Sequence, residues 1–229
     1  MECLYLSDLD INQNEIIIDN EEFHHLKVLR INQEEKILCS NGKGTIAELQ
    51  IKEITNKKAT AKITNYKFIP KNKNKLGIAL GILDNKDRFE FALEKCVELG
   101  VSDFYPIISK FSQKKYVNLN RLELKSISAL KQSKQYWKIK IHQPILLKDI
   151  FKTDFDNFYF ADLNSNSKVD YKSGDNIIII GPEGGFSDEE IQLLYSNQIC
   201  SFTLGHNILR AETAAICSIS IFNYISNNL

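Results

Sequence analysis

Two glycine-bearing loops constrain this chain more than any other feature. Each follows a short apolar strand and each runs into a helix. The first is Ile177-Ile178-Ile179-Ile180 followed by Gly181-Pro182-Glu183-Gly184-Gly185-Phe186. The second is Phe202-Thr203-Leu204 followed by Gly205-His206-Asn207-Ile208-Leu209-Arg210-Ala211-Glu212. Strand, glycine turn and helix in succession is how open α/β sheets build ligand sites, because backbone amides are presented where parallel strands end. Gly181 and Gly205 are 24 residues apart, a spacing that predicts one pocket made from neighbouring strands.

The first loop is not a Walker phosphate loop, since no Gly-x-x-x-x-Gly-Lys-Ser/Thr occurs, and Gly-x-Gly-x-x-Gly is absent as well. Gly184 and Gly185 permit positive φ and close backbone approach to a flat ligand, and Pro182 stiffens the turn. A tight structural turn explains this loop equally well when it is taken alone. In the second loop Glu212 falls in the first helical turn, where the dipole favours a carboxylate. A salt bridge with Arg210 at the helix start accounts for Glu212. It leaves unexplained an arginine at the positive end of the dipole, which an anionic partner would explain.

The rest of the chain divides in two. Residues 1–68 read as β: Glu15–Ile18, Lys36–Cys39, Thr45–Leu49 and Ala59–Ile63 are short and β-branched, and Asn41-Gly42-Lys43-Gly44 is a hairpin turn. Glu22–Leu29 makes a short helix. Many strands in so short a stretch predict a small barrel. Polar Ile69–Lys75, with Pro70, marks a boundary, giving domains 1–70 and 71–229. From Leu76 strands alternate with helices: a strand to Leu83, a helix over Asp87–Leu99 burying Phe91, Leu93, Cys96, Val97 and Leu99, a strand over Asp103–Ser109 and a long helix over Asn120–Trp137. Strands follow near Ile141 and at Phe158–Phe160. Ser187-Asp188-Glu189-Glu190 is a capping box, and Ala211–Tyr224 is the last helix. This alternation implies a parallel sheet covered on both faces.

Net charge is zero, but it is segregated. Lys57–Lys75 holds seven lysines and no acid, Lys110–Lys140 holds nine basic residues against Glu123 alone, and residues 1–22 hold seven acids and no Lys or Arg. Local basic surfaces can bind a polyanion on a neutral chain, although lysine-rich faces are also ordinary solvated surface. Five scattered cysteines without Cys-x-x-Cys point to reduced thiols, with neither a disulfide frame nor a zinc site. His142 and His206 lack metal-type spacing, so no metal is expected. The N-terminus lacks the regions of a signal peptide and no apolar run reaches membrane length, so a cytoplasmic protein without a membrane partner is expected.

Together the two loops say more. Gly-Pro-Glu-Gly-Gly-Phe followed by Leu-Gly-x-x-Ile-Leu-Arg-x-Glu-Thr-Ala resembles the RsmE family of SPOUT methyltransferases, which methylate N3 of a uridine, customarily position 1498, in 16S rRNA of the small ribosomal subunit. His25–Arg30 with Asn41–Gly44, Lys86-Asp87-Arg88, Glu94–Val101, and Gln132-Ser133 followed by Pro144 extend the likeness over nearly the full length. Lys131, Lys134, Tyr136 and His206-Asn207 depart from it. The resemblance implies an α/β fold: a SPOUT-type trefoil-knotted parallel-sheet domain behind an N-terminal PUA-like β-barrel. It implies a homodimer acting on ribosomal RNA with S-adenosylmethionine as methyl donor.

The donor would be held by Phe160, Ala161 and Asp162, by Gly181, Pro182, Glu183, Gly184, Gly185 and Phe186, and by Leu204, Gly205, Asn207, Ile208, Leu209 and Arg210. Leu204, Ile208 and Leu209 would sandwich the adenine. Arg210 and Glu212 are the catalytic candidates, with Glu183 as another carboxylate for the base. RNA contact is expected at Arg30, Lys43, Arg88, Lys114, Lys115 and Ser133; for His24 and His25 a structural role and RNA contact stand equally open. A SPOUT enzyme acting on another RNA or base atom, or a non-catalytic RNA-binding protein, are the competing readings.

Overall fold

The computed structural model describes residues 2–226; the last three residues of the expected second domain lie outside them. The chain forms two compact units, one comprising residues up to Lys71 together with Ile127–Lys138, the other comprising Asn72–Ser126 and the chain from Ile139 onward.

The first unit is a curled five-stranded sheet. Its strands are β1 (Cys3–Tyr5), β2 (Ile16–Ile18), β3 (Lys36–Ser40), β4 (Thr45–Ile54) and β5 (Ala59–Phe68), in the order β1-β3-β4-β5-β2. β1 pairs parallel to β3, and the other pairs are antiparallel. Thr45, Ala47, Leu49 and Ile51 of β4 point inward in strict alternation, the period a half-buried strand requires. Irregularities at Glu48/Leu49 and Ile51/Glu53 bend β4 against β5 and curl the sheet. Helix α1 (Asn20–Val28) closes the core with Phe23 and Leu26.

The second unit is a wholly parallel sheet of β6 (Leu76–Gly81), β7 (Asp103–Ile108), β8 (Lys140–Ile141), β9 (Ile145–Leu146), β10 (Asn157–Ala161), β11 (Asn176–Ile180) and β12 (Cys200–Phe202). Its order is β12-β10-β11-β6-β7-β8, with β9 also on β7. β11 is buried at all five positions, which is why Asn176 is followed by four isoleucines without a break. Its helices are α2 (Lys86–Glu98), α4 (Asp188–Ser196) and α5 (Ala211–Ser226), while α3 (Leu119–Ser133) belongs to it up to Ser126 and to the first unit from Ile127. The connection from β10 to β11 laps over the chain that follows β12: the Thr203 amide donates to the Ser167 carbonyl (3.0 Å), and Tyr171 packs against Phe222 of α5. This is the arrangement of the SPOUT-type knotted fold.

Three local expectations change. β1 was not anticipated, because three residues carry too little pattern. The face of α2 is set by Phe89, Leu93, Cys96 and Val97, spaced i, i+4, i+7, i+8; Phe91 lies off that stripe and is exposed under the Lys95 ammonium. Helix α3 ends at Ser133 rather than Trp137, because Lys134 takes a left-handed φ of 57° and the Gln135 amide turns back to the Leu130 carbonyl. All five cysteines are free, and burial pushes the Cys3 thiol up to about 11, which keeps it protonated and unreactive. No helix among the described residues is long and apolar enough to cross a membrane.

Candidate functional site

A cleft of about 570 Å³ opens where β12, β10 and β11 end side by side. That volume suits a nucleoside-sized ligand. Three consecutive loops line it: Ala161–Asn164 after β10, Gly181–Phe186 after β11, and Leu204–Arg210 after β12, with the α5 start, Ala211 and Ala214, as its floor.

The first loop is held by its own carboxylate. Asp162 Oδ1 accepts from the Asn164 amide (2.9 Å) and Oδ2 from the Tyr195 hydroxyl (2.8 Å). Phe160, one residue before Ala161, falls on the other face of the strand; its ring is fully buried beside Tyr195 and is not in the lining.

The glycine loop is a tight turn in which the Gly185 amide donates to the Pro182 carbonyl (2.9 Å) and Gly185 takes a φ of 67°. Neighbours fix it on two sides. Glu183 Oε2 accepts from the Asp84 amide (3.3 Å), so this carboxylate serves the loop's own geometry. A Cβ on Gly81, at the end of β6, would come within 2.4 Å of the Pro182 nitrogen. Gly184 lies outside the lining and faces Phe111, whose Cβ would be 3.0 Å from a Cβ placed there.

The Phe111 segment is itself tied to α4. The Lys110 amide donates to Glu190 (2.8 Å), and the Lys110 ammonium, bonded to Glu189, holds that carboxyl down at about 2. Glu190 also completes the capping box with Ser187.

The third loop turns at Gly205, with a φ of 121° and open space around it; the Gly205 amide donates to the Thr203 hydroxyl (3.2 Å). Leu204, Asn207, Ile208 and Leu209 reach the cleft, and Ile208 is 84% exposed. With Leu204 and Leu209 it gives the cleft an apolar side.

Of the donor-site candidates, all but Phe160 and Gly184 line this one cleft. The catalytic candidates separate. Arg210 is an exposed side chain in the lining, whereas Glu212 turns away beneath α5, and its Oε1 lies 3.7 Å from Nε of Arg88. Glu212 therefore pairs with α2 and not with Arg210.

The RNA candidates fall in both units. Arg30, at a positive φ of 57°, and Lys43, bonded to the Ser7 carbonyl (2.8 Å), are exposed in the first unit. Ser133 caps back onto the Ala129 carbonyl of its own helix (2.7 Å). In the second unit, Lys114 is bonded to the Asp84 carbonyl and Lys115 is exposed. Sequence reasoning missed Gly81, Phe111, Leu163, Asn164, Ile180, Asp188 and Ile191. The glycine ending a buried strand in Leu80-Gly81-Ile82 was the one available signal.

The RNA methyltransferase PUA domain family matches residues 18–64, and the RNA methyltransferase domain family matches residues 70–223. The ribosomal RNA small subunit methyltransferase E of Mesomycoplasma hyopneumoniae is 35% identical over 89% of this chain and 92% of its own length. This chain belongs to the ribosomal RNA small subunit methyltransferase E family. The Rickettsia conorii member is 30% identical over 89% of this chain and 87% of its own. The Neisseria gonorrhoeae member, solved bound to S-adenosyl methionine, superposes with a TM-score of 0.90 over 98% of both chains at 26% identity.

Proposed function

We propose that the protein is an S-adenosylmethionine-dependent methyltransferase that forms N3-methyluridine at position 1498 of 16S rRNA, acting in the cytoplasm as a homodimer. The cleft carries this reading. Three loops at adjacent strand ends offer backbone polar groups from Gly181–Phe186 and apolar side chains from Ile180, Leu204 and Leu209, the donor set a flat heteroaromatic base requires. The family relative solved with S-adenosyl methionine supports it.

Bound in this cleft, S-adenosylmethionine would supply a methyl carbon already activated by its sulfonium. The chain's task is then alignment and charge control. Asp162 and Glu183 put negative charge at the rim, suited to a cationic ligand. Arg210, exposed in the lining, is placed to meet the negative charge that spreads onto the uracil oxygens as its N3 proton is lost. Glu212 is drawn towards Arg88, so its role is to hold that guanidinium and not to act as base. Exposed Phe91, Ile221 and Tyr224 on the mutually packed α2 and α5 support a second copy as partner. Mass spectrometry of ribosomal RNA from a deletion strain tests the reading. N3-methyluridine should vanish and return with the restored gene; an unchanged modification profile would sink it.

A further inference from the structure

The first unit carries a feature that the donor cleft does not use. Strand β5 runs past the core, and its residues 64–68 are all exposed. Two of them are aromatic: Tyr66 is 52% exposed and Phe68 57%. They are two residues apart, so they share one face of the strand. Phe68 meets Trp137 edge to face, with ring centres 6.5 Å apart. Trp137 is fixed by a bond from its indole nitrogen to the Ile69 carbonyl (3.0 Å). The hairpin is shaped to admit these rings: a Cβ on Gly44 would come within 2.7 Å of the Trp137 ring and 2.8 Å of the Phe68 ring. Lysines stand over the aromatic faces, Lys71 at 5.8 Å from the Trp137 centre and Lys67 at 6.0 Å from that of Tyr136.

Exposed rings interleaved with lysines, in a stretch of seven lysines and no acid, call for a partner with flat apolar faces and regularly spaced negative charge. Single-stranded RNA has both. A duplex hides its base faces in its own stack, and an acidic peptide satisfies the lysines but leaves the rings uncovered. We propose that Tyr66, Phe68 and Trp137, flanked by Lys71, form a stacking platform for unpaired bases of single-stranded RNA. The proposal rests on the ribosomal RNA reading above and adds where unpaired nucleotides are gripped.

Trp137 is the single tryptophan of the chain, so its fluorescence reports on this platform alone. The full chain is titrated with a short oligouridylate, with the same strand paired to oligoadenylate, and with polyglutamate, while S-adenosylmethionine binding is followed separately by calorimetry. The single strand should quench Trp137 and bind more tightly than the duplex, and polyglutamate should leave Trp137 emission unchanged. Tyr66→Ala and Phe68→Ala should each weaken single-strand binding by about fivefold or more, the loss of one stacked base. Phe68→Leu, which keeps an apolar neighbour for Trp137, should show the same loss. All three variants should hold the donor as the wild type does. Wild-type RNA affinity in Tyr66→Ala and Phe68→Leu, equal binding of the duplex, or quenching by polyglutamate overturns the platform. Loss of donor binding by the wild-type chain would instead strike the methyltransferase reading.

Discussion

Glu212 Oε1 lies 3.7 Å from Arg88 Nε, and the other oxygen of the same carboxylate is buried with no hydrogen-bond partner among the described residues. A carboxylate only 7% exposed has given up most of its hydration and recovers it largely from one guanidinium on the neighbouring helix. Arg88 is in turn set by the first turn of α2, where its amide donates to the Asn85 cap. The pair thus joins the start of α2 to the start of α5. Glu212→Gln removes the charge, keeps the shape and leaves Arg88 unpaired. Because Arg88 is partly solvated, the cost should be about 1–2 kcal/mol, between an exposed and a buried pair. Urea unfolding would measure it. Donor affinity by calorimetry should stay within about twofold, since Glu212 does not line the cleft; a large loss there would return it to the binding site.

Arg210→Ala should lower methylation by about 100-fold or more, the usual effect of removing a donor that stabilises developing charge. Among the described residues no carboxylate pairs with Arg210, and the helix start it occupies repels a cation. Its position is therefore explained by what enters the cleft. Donor binding should fall much less than turnover. Near wild-type rates in a methylation assay would remove Arg210 from the reaction.

The glycines should fail in two distinct ways. At Gly205 there is room for a side chain, but a φ of 121° strains any residue with a Cβ by about 1–3 kcal/mol. At Gly81 and Gly184 the limit is space. Gly81→Ala drives a Cβ into the Pro182 backbone and must displace the glycine loop, while Gly184→Val presses on Phe111. Gly205→Val, Gly184→Val and Gly81→Ala should each weaken S-adenosylmethionine binding by about tenfold or more in a chain that still folds. Unchanged affinity in folded Gly81→Ala would mean that the loop's placement does not govern the site.

Much of this site could be read from the sequence because its parts are contiguous. Each loop is a strand end plus a turn, and β-branched runs such as Ile177–Ile180 announce the strand while glycine announces the turn. What could not be read is what the loops lean on. Phe111 and Lys110 reach the glycine loop and α4 from a segment up to 80 residues away in sequence, and no local pattern marks such a contact. The sense of a side chain at a helix start was equally hidden. Glu212 and Arg210 are close in sequence, but Arg210 precedes the helix and Glu212 lies within its first turn, so one reaches the cleft and the other meets Arg88 of α2. Phe91 failed by its place on the helix: Phe89 fits the stripe of Leu93, Cys96 and Val97, and Phe91 does not.

Among the carboxylates through which stability should fall in acid are two buried ones, Glu90 and Asp103. Arg121, hydrogen-bonded to Glu90, holds that buried carboxyl below its usual range, with Lys125 adding to the effect. Burial alone would raise the Asp103 carboxyl, but bonds from His142 (2.8 Å) and Ser102 (2.8 Å) outweigh it and hold this group low as well. A depressed folded-state value means that the contribution is full above the unfolded value, about 4, and is lost as pH falls through the folded one. Melting temperature should therefore hold from pH 7 to about 5 and then decline. Glu90→Gln should melt lower than wild type at pH 7, with the two curves converging in acid. Parallel curves down to pH 3 would exclude the Glu90–Arg121 contribution.

Lys114 and Lys115 are neighbours with opposite surroundings, and charge reversal should separate them. Lys115 is exposed and meets no acid among the described residues, whereas the Lys114 ammonium is bonded to the Asp84 carbonyl and lies 3.5 Å from its carboxylate. The Asp84 amide in turn holds Glu183 in the glycine loop. Lys115→Glu should weaken ribosomal RNA binding and reduce its salt dependence, because one phosphate contact releases about one counterion, while S-adenosylmethionine affinity stays unchanged. Lys114→Glu places a carboxylate against Asp84 and pushes the Asp84–Glu183 link apart. It should weaken RNA binding and donor binding together. Paired titrations of RNA at two salt concentrations and of the donor by calorimetry distinguish the two variants, and an unchanged donor affinity in Lys114→Glu would show that Asp84 does not transmit to the loop.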